Sequence, residues 1–395
     1  RLHHLQMIIF DENSEAFTPK DLGRIASDFY LLSNSVEIFN QMMNPLATEA
    51  DILSMISMSS EFDSIKFREE ESKELKQLVE EDAPCQVAGD VDSPQGKTNI
   101  LLQAFVSQAH IKDSALISDS NYVAQNSARI CRSLFLIAMN RRWGKLMNIM
   151  LSLCKSIDKR IWAFEHPMTQ FELPQPVLRN IKAKNPSMLA LRDMEAGELG
   201  DLVHNFKMGS ILYKLIGKFP FIDIESEIFP ITTNVMRVHV DLHPDFVWDD
   251  KYHGSAQFFW LTVEESDRSE ILHVEKFILH KKQLHSPHEM DFMIPLSDPL
   301  PAQVVVRVVS DLWIGSETVH AVSFQHLIRP SNETIKTDLL RLQPLPVTAL
   351  HNPDVEKIYS SKFKYFNPMQ TMVFHSLYNT NSSVFVGSPT GSGKT

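Results

Sequence analysis

The sequence predicts a multidomain α+β chain, and three observations carry that expectation. Apolar residues recur at helical spacing from about residue 98 to residue 162. Near Asp223 the period changes to strict alternation, and short apolar runs follow one another between Asp, Gly, Ser and Pro turns. Residues 384–395 read Val-Phe-Val-Gly-Ser-Pro-Thr-Gly-Ser-Gly-Lys-Thr, a short apolar run leading into a Gly-rich loop. The expected order is a winged-helix tail, an all-α helical bundle with a helix-loop-helix, an antiparallel β-sandwich and the start of an α/β domain.

Composition sets the limits. With 395 residues, 43% of them hydrophobic and 22% charged, the chain has room for two to four domains with their own cores. A net charge of −11 argues against a protein that coats nucleic acid with its whole surface, but leaves room for a local basic groove. Cys85, Cys131 and Cys154 share no metal-ligand or Cys-x-x-Cys spacing and read as reduced packing residues of an intracellular chain. Apolar runs such as 134–139 are far too short to span a bilayer, and no signal-peptide pattern opens the chain. The expectation is therefore no membrane.

Residues 7–10 read as a strand, 11–14 as a turn and 16–18 as a returning strand. Thr18 and Pro19 then read as the cap and first turn of a helix with Leu22, Ile25, Ala26 and Phe29 on its apolar stripe. This is the expected winged-helix tail, 1–33. Helices follow at 35–43, from Thr48 to about Met58, and at 68–82. The Glu69-Glu-Glu71 run suits an acidic interaction site or a solvated helix face. Residues 84–97 read as a polar loop.

From about Ser120 a long helix is expected. Val123, Ser127, Ile130, Leu134, Ile137 and Ala138 share one face, and Tyr122, Asn126, Arg129, Ser133 and Leu136 the next. Gln125 and Arg132 flank the polar stripe. Tyr, Asn, Gln and Arg along one helix can hold a nucleic-acid strand by stacking, amide contacts and phosphate pairing; an ordinary solvated face has the same pattern. From Arg141 to Arg160 six basic residues accompany one acidic residue, with Trp143 and Trp162 beside them. That suits nucleic acid, or two core tryptophans with solvated cations around them. The bundle is expected to span 34–172.

Pro174 and Pro176 mark a boundary. Short helices at 176–183, 187–192, 196–205 and 210–218 form the expected helix-loop-helix, 173–222. Alternating runs at 236–243, 257–264, 271–279, 289–295, 303–310 and 319–327 give six or seven strands, an antiparallel sandwich over 223–330. His239, Asp241 and His243 fall on one strand face, which could in principle ligate a metal, but plain alternation on a half-buried strand explains them better and no metal site is expected. Residues 331–350 read as a Pro-punctuated linker.

The last segment, 351–395, carries the chemistry. Val384 to Val386 reads as a buried strand feeding a phosphate-binding loop. Gly391 and Gly393 let the backbone approach phosphates, Lys394 would reach them and the Thr395 hydroxyl would sit on Mg²⁺. The strict loop pattern wants Gly where this chain has Ser388. Gln370 offers a donor and an acceptor to an adenine edge, and Phe366 could cover the ring; a helix-capping Gln beside core aromatics reads the same way.

Two of these stretches, Phe-Asn-Pro-Met-Gln-Thr at 366–371 and Ser-Pro-Thr-Gly-Ser-Gly-Lys-Thr at 388–395, resemble the Q-like motif and motif I of superfamily-two (DExH-box) helicases. The order upstream resembles the tandem-cassette helicases with a Sec-sixty-three homology unit. The runs at 117–129, 157–162, 308–313 and 342–350 carry that likeness across nearly the whole chain. Of two branches, one in a coactivator complex and one spliceosomal, the runs at 65–71 and 118–126 look closer to the first. The resemblance implies an immunoglobulin/fibronectin-like sandwich and the truncated start of a second RecA-like domain. It implies ATP and Mg²⁺ at Phe366, Gln370, Ser388, Pro389, Thr390, Gly391, Ser392, Gly393, Lys394 and Thr395. It also implies single-stranded RNA or DNA along Tyr122, Gln125, Asn126, Arg129 and Arg132, with the 120–133 helix acting as a ratchet. An ATP-dependent 3′-to-5′ helicase in a larger protein complex of nucleus or cytoplasm is the implied whole. The contrasting class is a non-catalytic protein-interaction scaffold. Residues 1–395 hold no Asp-Glu-x-His acidic motif, so hydrolysis by this stretch alone is not expected.

Overall fold

A computed structural model describes residues 1–266, 269–325, 327–330 and 340–394. The chain forms two compact units, 1–330 and 331–395.

The first unit opens with an antiparallel pair, β1 (Ile8–Phe10) and β2 (Phe17–Pro19), in register from Ile8 opposite Pro19 to Phe10 opposite Phe17. Pro19 ends the strand instead of opening a helix. Helix α1 (Asp21–Asp28) starts after Lys20, because the ladder with β1 holds Thr18 and Pro19 extended. Helices α2 (Ser33–Met42) and α3 (Glu49–Ser57) follow, and Thr48 with Asp51 forms a capping box on α3. A short 3₁₀ turn, Glu69–Glu71, leads into α4 (Ser72–Asp82). Glu71 does not lie on a solvated face. It is 4% exposed and paired with Arg68 and Lys97.

Helix α5 (Pro94–Val106) begins four residues before the apolar pattern becomes visible, because Ser93 caps the Gly96 amide and Pro94 suits a first turn. Helix α6 (Ser114–Asn140), capped by Asp113, runs for 27 residues, about 40 Å at 1.5 Å per residue. Its face through Val123, Ser127, Ile130, Leu134, Ile137 and Ala138 is buried, as the spacing requires. Helix α7 (Gly144–Lys159) returns along it. One core joins β1 through α7, with Phe39, Ile100, Leu134 and Leu146 at its centre.

Four shorter helices come next: α8 (Gln175–Lys184), α9 (Met188–Asp193), α10 (Ala196–Leu202) and α11 (Phe206–Ile216). Helices α10 and α11 touch backbone to backbone at Gly209, where a Cβ would lie 2.1 Å from the Ala196 carbonyl oxygen. They enclose a core of their own around Leu199, Leu212 and Phe219.

Seven antiparallel strands complete the unit. They are β3 (Ile222–Pro230), β4 (Val235–Pro244), β5 (Ala256–Glu265), β6 (Ile271–His280), β7 (His288–Pro295), β8 (Gln303–Ser310) and β9 (Glu317–Ser323). A four-residue helix, α12 (Asp250–His253), lies between β4 and β5. The sheets have strand orders β3-β4-β7 and β6-β5-β8-β9 and share a core including Val238, Phe259, Leu261 and Val306. Both sheets are wholly antiparallel, which fits the alternation of buried and exposed residues along β4. Among the described residues no group of three His, Cys, Asp or Glu could hold a metal; His239 instead faces Asp241 and Asp291.

The turn after β8 is where the helices meet the sheet. The Asp311 carboxylate accepts from Arg132 of α6 at 2.6 Å and from the Trp260 indole at 2.7 Å. The Lys155 ammonium of α7 donates to the carbonyls of Ser310 and Trp313, at 3.2 and 3.3 Å. Gln170 exchanges two hydrogen bonds with the Ile314 backbone, and the Ser316 hydroxyl donates to the Pro220 carbonyl.

Burial depresses the pKa of Lys155 to about 8. Folding therefore disfavours its protonated form. Between that value and the ordinary lysine pKa the unfolded chain binds more protons, so this group's penalty fades as pH rises. Wild type is expected to gain stability on Lys155→Met as pH is raised from about 7 to about 10, read as the difference in urea midpoints. A pH-independent difference would refute this.

The second unit contains α13 (Pro353–Ser360) and α14 (Pro368–Tyr378). The 345–347 stretch lies against 364–366, with Phe366 N–H donating to the Leu345 carbonyl and Val347 N–H to Lys364. Val384 to Val386 does not form the expected strand. Phe385 is 96% exposed and no described residue pairs with this run, and extended backbone without a ladder partner is not a sheet.

Candidate nucleotide loop and strand-facing helix

In the second unit the geometry starts from the cap of α14. Asn367 and Gln370 form a reciprocal capping box: the Gln370 N–H donates to Asn367 Oδ1 at 2.8 Å, and the Asn367 N–H donates to Gln370 Oε1 at 3.0 Å. The outer ends of both amides then reach the Gly-rich loop. Asn367 Nδ2 donates to the Ser392 carbonyl at 2.9 Å and Gln370 Nε2 to the Gly393 carbonyl at 2.7 Å. So Gln370 does take the capping role, and it also fixes the loop. Each of its polar ends keeps one further hydrogen-bonding site for an outside group.

Gly391 and Gly393 have φ of +85° and +79°, in the left-handed region that favours glycine. At Gly393 a Cβ would lie 2.7 Å from Asn367 Nδ2, so the amide–loop contact also needs glycine there. The Lys394 ammonium folds inward and donates to the Ser388 carbonyl at 2.7 Å, and the Ser388 and Ser392 hydroxyls meet at 2.7 Å. Ser388 thus has a hydrogen-bonding role that Gly could not fill. Phe366 packs between Phe363 and Phe374. Phe366, Gln370, Val386 and Lys394 line one cavity of about 360 Å³. Pro389 and Thr390 are exposed at the loop tip. Thr395 lies outside the described residues. Asn367 is the site residue that sequence reasoning missed, although Asn-Pro three residues before Gln is a visible capping signature.

In the first unit the polar stripe of α6 forms a chain of internal contacts. Tyr122 is 41% exposed, and its hydroxyl donates to the Glu61 carbonyl at 2.9 Å. Asn126 Nδ2 donates to the Tyr122 carbonyl, and Arg129 Nη2 to Asn126 Oδ1 at 2.7 Å. Arg129 Nη1 donates to the carbonyls of Phe29 and Tyr30, just past the end of α1. A guanidinium there satisfies terminal carbonyls and opposes the helix dipole. Gln125 is exposed and makes no hydrogen bond to a described residue. Arg132 departs from the expectation. It turns to the sheet, where its ion pair with Asp311 leaves the side chain only 22% exposed.

The family described as Sec63 Brl domain matches residues 19–323. The chain belongs to the Sec63 Brl domain family. The match covers helices α1 to α12 and strands β3 to β9, so helical and sheet regions together are the family's architecture here. Over all 395 residues the chain is 69% identical to the RQC trigger complex helicase SLH1 of Saccharomyces cerevisiae. It is 44% identical over 399 aligned residues to activating signal cointegrator 1 complex subunit 3 of Gallus gallus, again across the whole chain. It is 43% identical to the U5 small nuclear ribonucleoprotein 200 kDa helicase of Homo sapiens over 98% of its length. These alignments cover 20%, 18% and 18% of the relatives, so the Sec63 chain spans about a fifth of the proteins it matches. The likeness to tandem-cassette helicases read from the motifs is thereby shown. Among the described residues no helix is long and apolar enough to cross a membrane.

Proposed function

We propose that this Sec63 chain is part of an ATP-dependent 3′-to-5′ RNA or DNA helicase. One observation supports the reading above others: Gln370 and Lys394, far apart in sequence, line a single cavity with Phe366, and Gln370 also holds the Gly393 carbonyl of the Gly-rich loop. ATP would place its phosphates on the amides of 391–394, with Lys394 exchanging the Ser388 carbonyl for phosphate oxygen. Mg²⁺ would join through the hydroxyl of Thr395. Residues 1–33 are taken as a winged-helix tail, 34–172 as a ratchet bundle and 173–222 as a helix-loop-helix. Residues 223–330 are taken as an immunoglobulin/fibronectin-like sandwich, 331–350 as a linker and 351–395 as the start of a second RecA-like domain. The strand would run along α6 past Tyr122, Gln125, Asn126 and Arg129.

Partners are single-stranded nucleic acid and subunits of a larger complex, in nucleus or cytoplasm, in line with relatives named for a ribonucleoprotein, a trigger complex and a coactivator complex. A second reading, a docking scaffold without strand contact, draws on the internal hydrogen bonds of Tyr122, Asn126 and Arg129.

Single-strand binding separates the two. Arg129 also caps α1, so Arg129→Ala perturbs the fold as well as the face. Gln125→Glu, at an exposed and unbonded position, adds only a charge repelled by phosphate. It is expected to weaken single-stranded RNA binding about tenfold at low salt. Unchanged affinity in both variants would favour the scaffold. Lys394→Ala is expected to abolish binding of a fluorescent ATP analogue, and retained binding would refute the nucleotide assignment.

A further inference from the structure

The Arg-Arg-Trp-Gly-Lys run, 141–145, takes no part in either site above. It forms the turn between α6 and α7 and docks on residues 269–271 at the start of β6. The Gly144 N–H donates to the Ser269 carbonyl at 3.0 Å, Ile271 N–H donates to the Arg142 carbonyl, and Trp143 makes a β-bridge with Glu270. Gly144 is required there, since a Cβ would come within 2.7 Å of the Ser269 oxygen. Beside this junction lies a cavity of about 590 Å³, within the range of small-molecule sites.

Its walls carry three cations, Arg141, Arg142 and Lys145, against one carboxylate, Glu270. None of the three cations has a carboxylate partner among the described residues. The Arg141 guanidinium lies 5.1 Å over the Trp143 ring and donates to Asn40 Oδ1 at 2.6 Å. Both neighbours are neutral, and burial presses its pKa downward. Arg142 is oriented by the carbonyls of Ile271 and Leu272. Lys145 is exposed and unbonded. Trp143 provides no side-chain cap to α7, so the first-turn amide of Lys145 also lacks an acceptor among the described residues. Fixed guanidiniums, a free ammonium and this helix amide together make an anion receptor.

We propose that this cavity binds a compact anion carrying two or more phosphate groups. A single phosphate would leave most of the cavity empty and cations unmatched. Arg141 already occupies one face of the Trp143 ring.

The test uses the Lys394→Ala chain, so that the Gly-rich loop does not contribute, titrated with inorganic tripolyphosphate by calorimetry. One site is expected to remain, weakened about tenfold or more by Arg142→Ala with Lys145→Ala, and also by Lys145→Glu alone, an exposed change that leaves the fold intact. Absent binding in Lys394→Ala, or binding that both cavity variants leave unchanged, overturns the proposal. Competing oligonucleotides identify the source. Displacement of tripolyphosphate by a 5′-triphosphorylated RNA but not its 5′-hydroxyl form assigns an RNA end. Displacement by neither assigns a free polyphosphate. Equal displacement by both means backbone binding and overturns the compact anion.

Discussion

Lys97→Ala is expected to cost the first unit about 3–5 kcal/mol, the range for stranding buried charge. Lys97 is fully buried, and its ammonium donates to Glu71 at 2.6 Å, Asp119 at 2.7 Å and the Lys66 carbonyl at 3.0 Å. These contacts tie α5 to the turn before α4 and to the first half of α6. Removing the cation leaves Glu71 buried with Arg68 as its remaining partner. Urea unfolding of residues 1–330 measures the loss. Lys97→Met with Glu71→Gln, which removes both charges while keeping volume, is expected to recover at least half of it. A loss below about 1 kcal/mol in Lys97→Ala, typical of an exposed pair, would show that the charges are not desolvated as the structure places them.

Asp311→Ala is expected to cost about 2–4 kcal/mol, because one carboxylate holds both Arg132 and Trp260 and both members of the ion pair are largely buried. Asp311→Asn keeps an acceptor for the indole and should lose about half as much. The change lies in the turn after β8, yet the helix it releases is α6. If α6 guides a strand, Asp311→Ala also weakens single-strand binding at low denaturant, where the unit is still folded. Equal urea midpoints for Asp311→Ala and wild type would sink the claim that this turn fastens helix to sheet.

Much of the fold was legible in residue patterns. The buried face of α6 follows from its 3.6-residue period, and six of the seven strands from β3 to β9 follow from alternation. Strand β3 alternates too, with Ile222, Ile224 and Ile228 against Asp223, Glu225 and Glu227, but acidic residues and a terminal proline hide it. The roles of Arg129 and Arg132 were not legible. Their partners lie 100 and 179 residues away, and a sequence shows that a cation is present without showing which groups reach it. The 384–386 run shows the opposite limit: propensity was present, but the described residues supply no strand to pair with. In the loop, the glycines and lysine were legible from spacing. The amide bridge from the α14 cap to the carbonyls of 392 and 393 depends on three-dimensional closure.

The inward fold of Lys394 makes the loop its own competitor. A phosphate entering there would exchange an existing ammonium–carbonyl bond for a new one, so only the difference between the two appears as affinity. A weakly charged ligand gains little from that exchange, whereas a triphosphate with its cation gains from several contacts at once. The Ser388 carbonyl would then act as a threshold, setting how much negative charge a ligand must bring before the lysine changes sides.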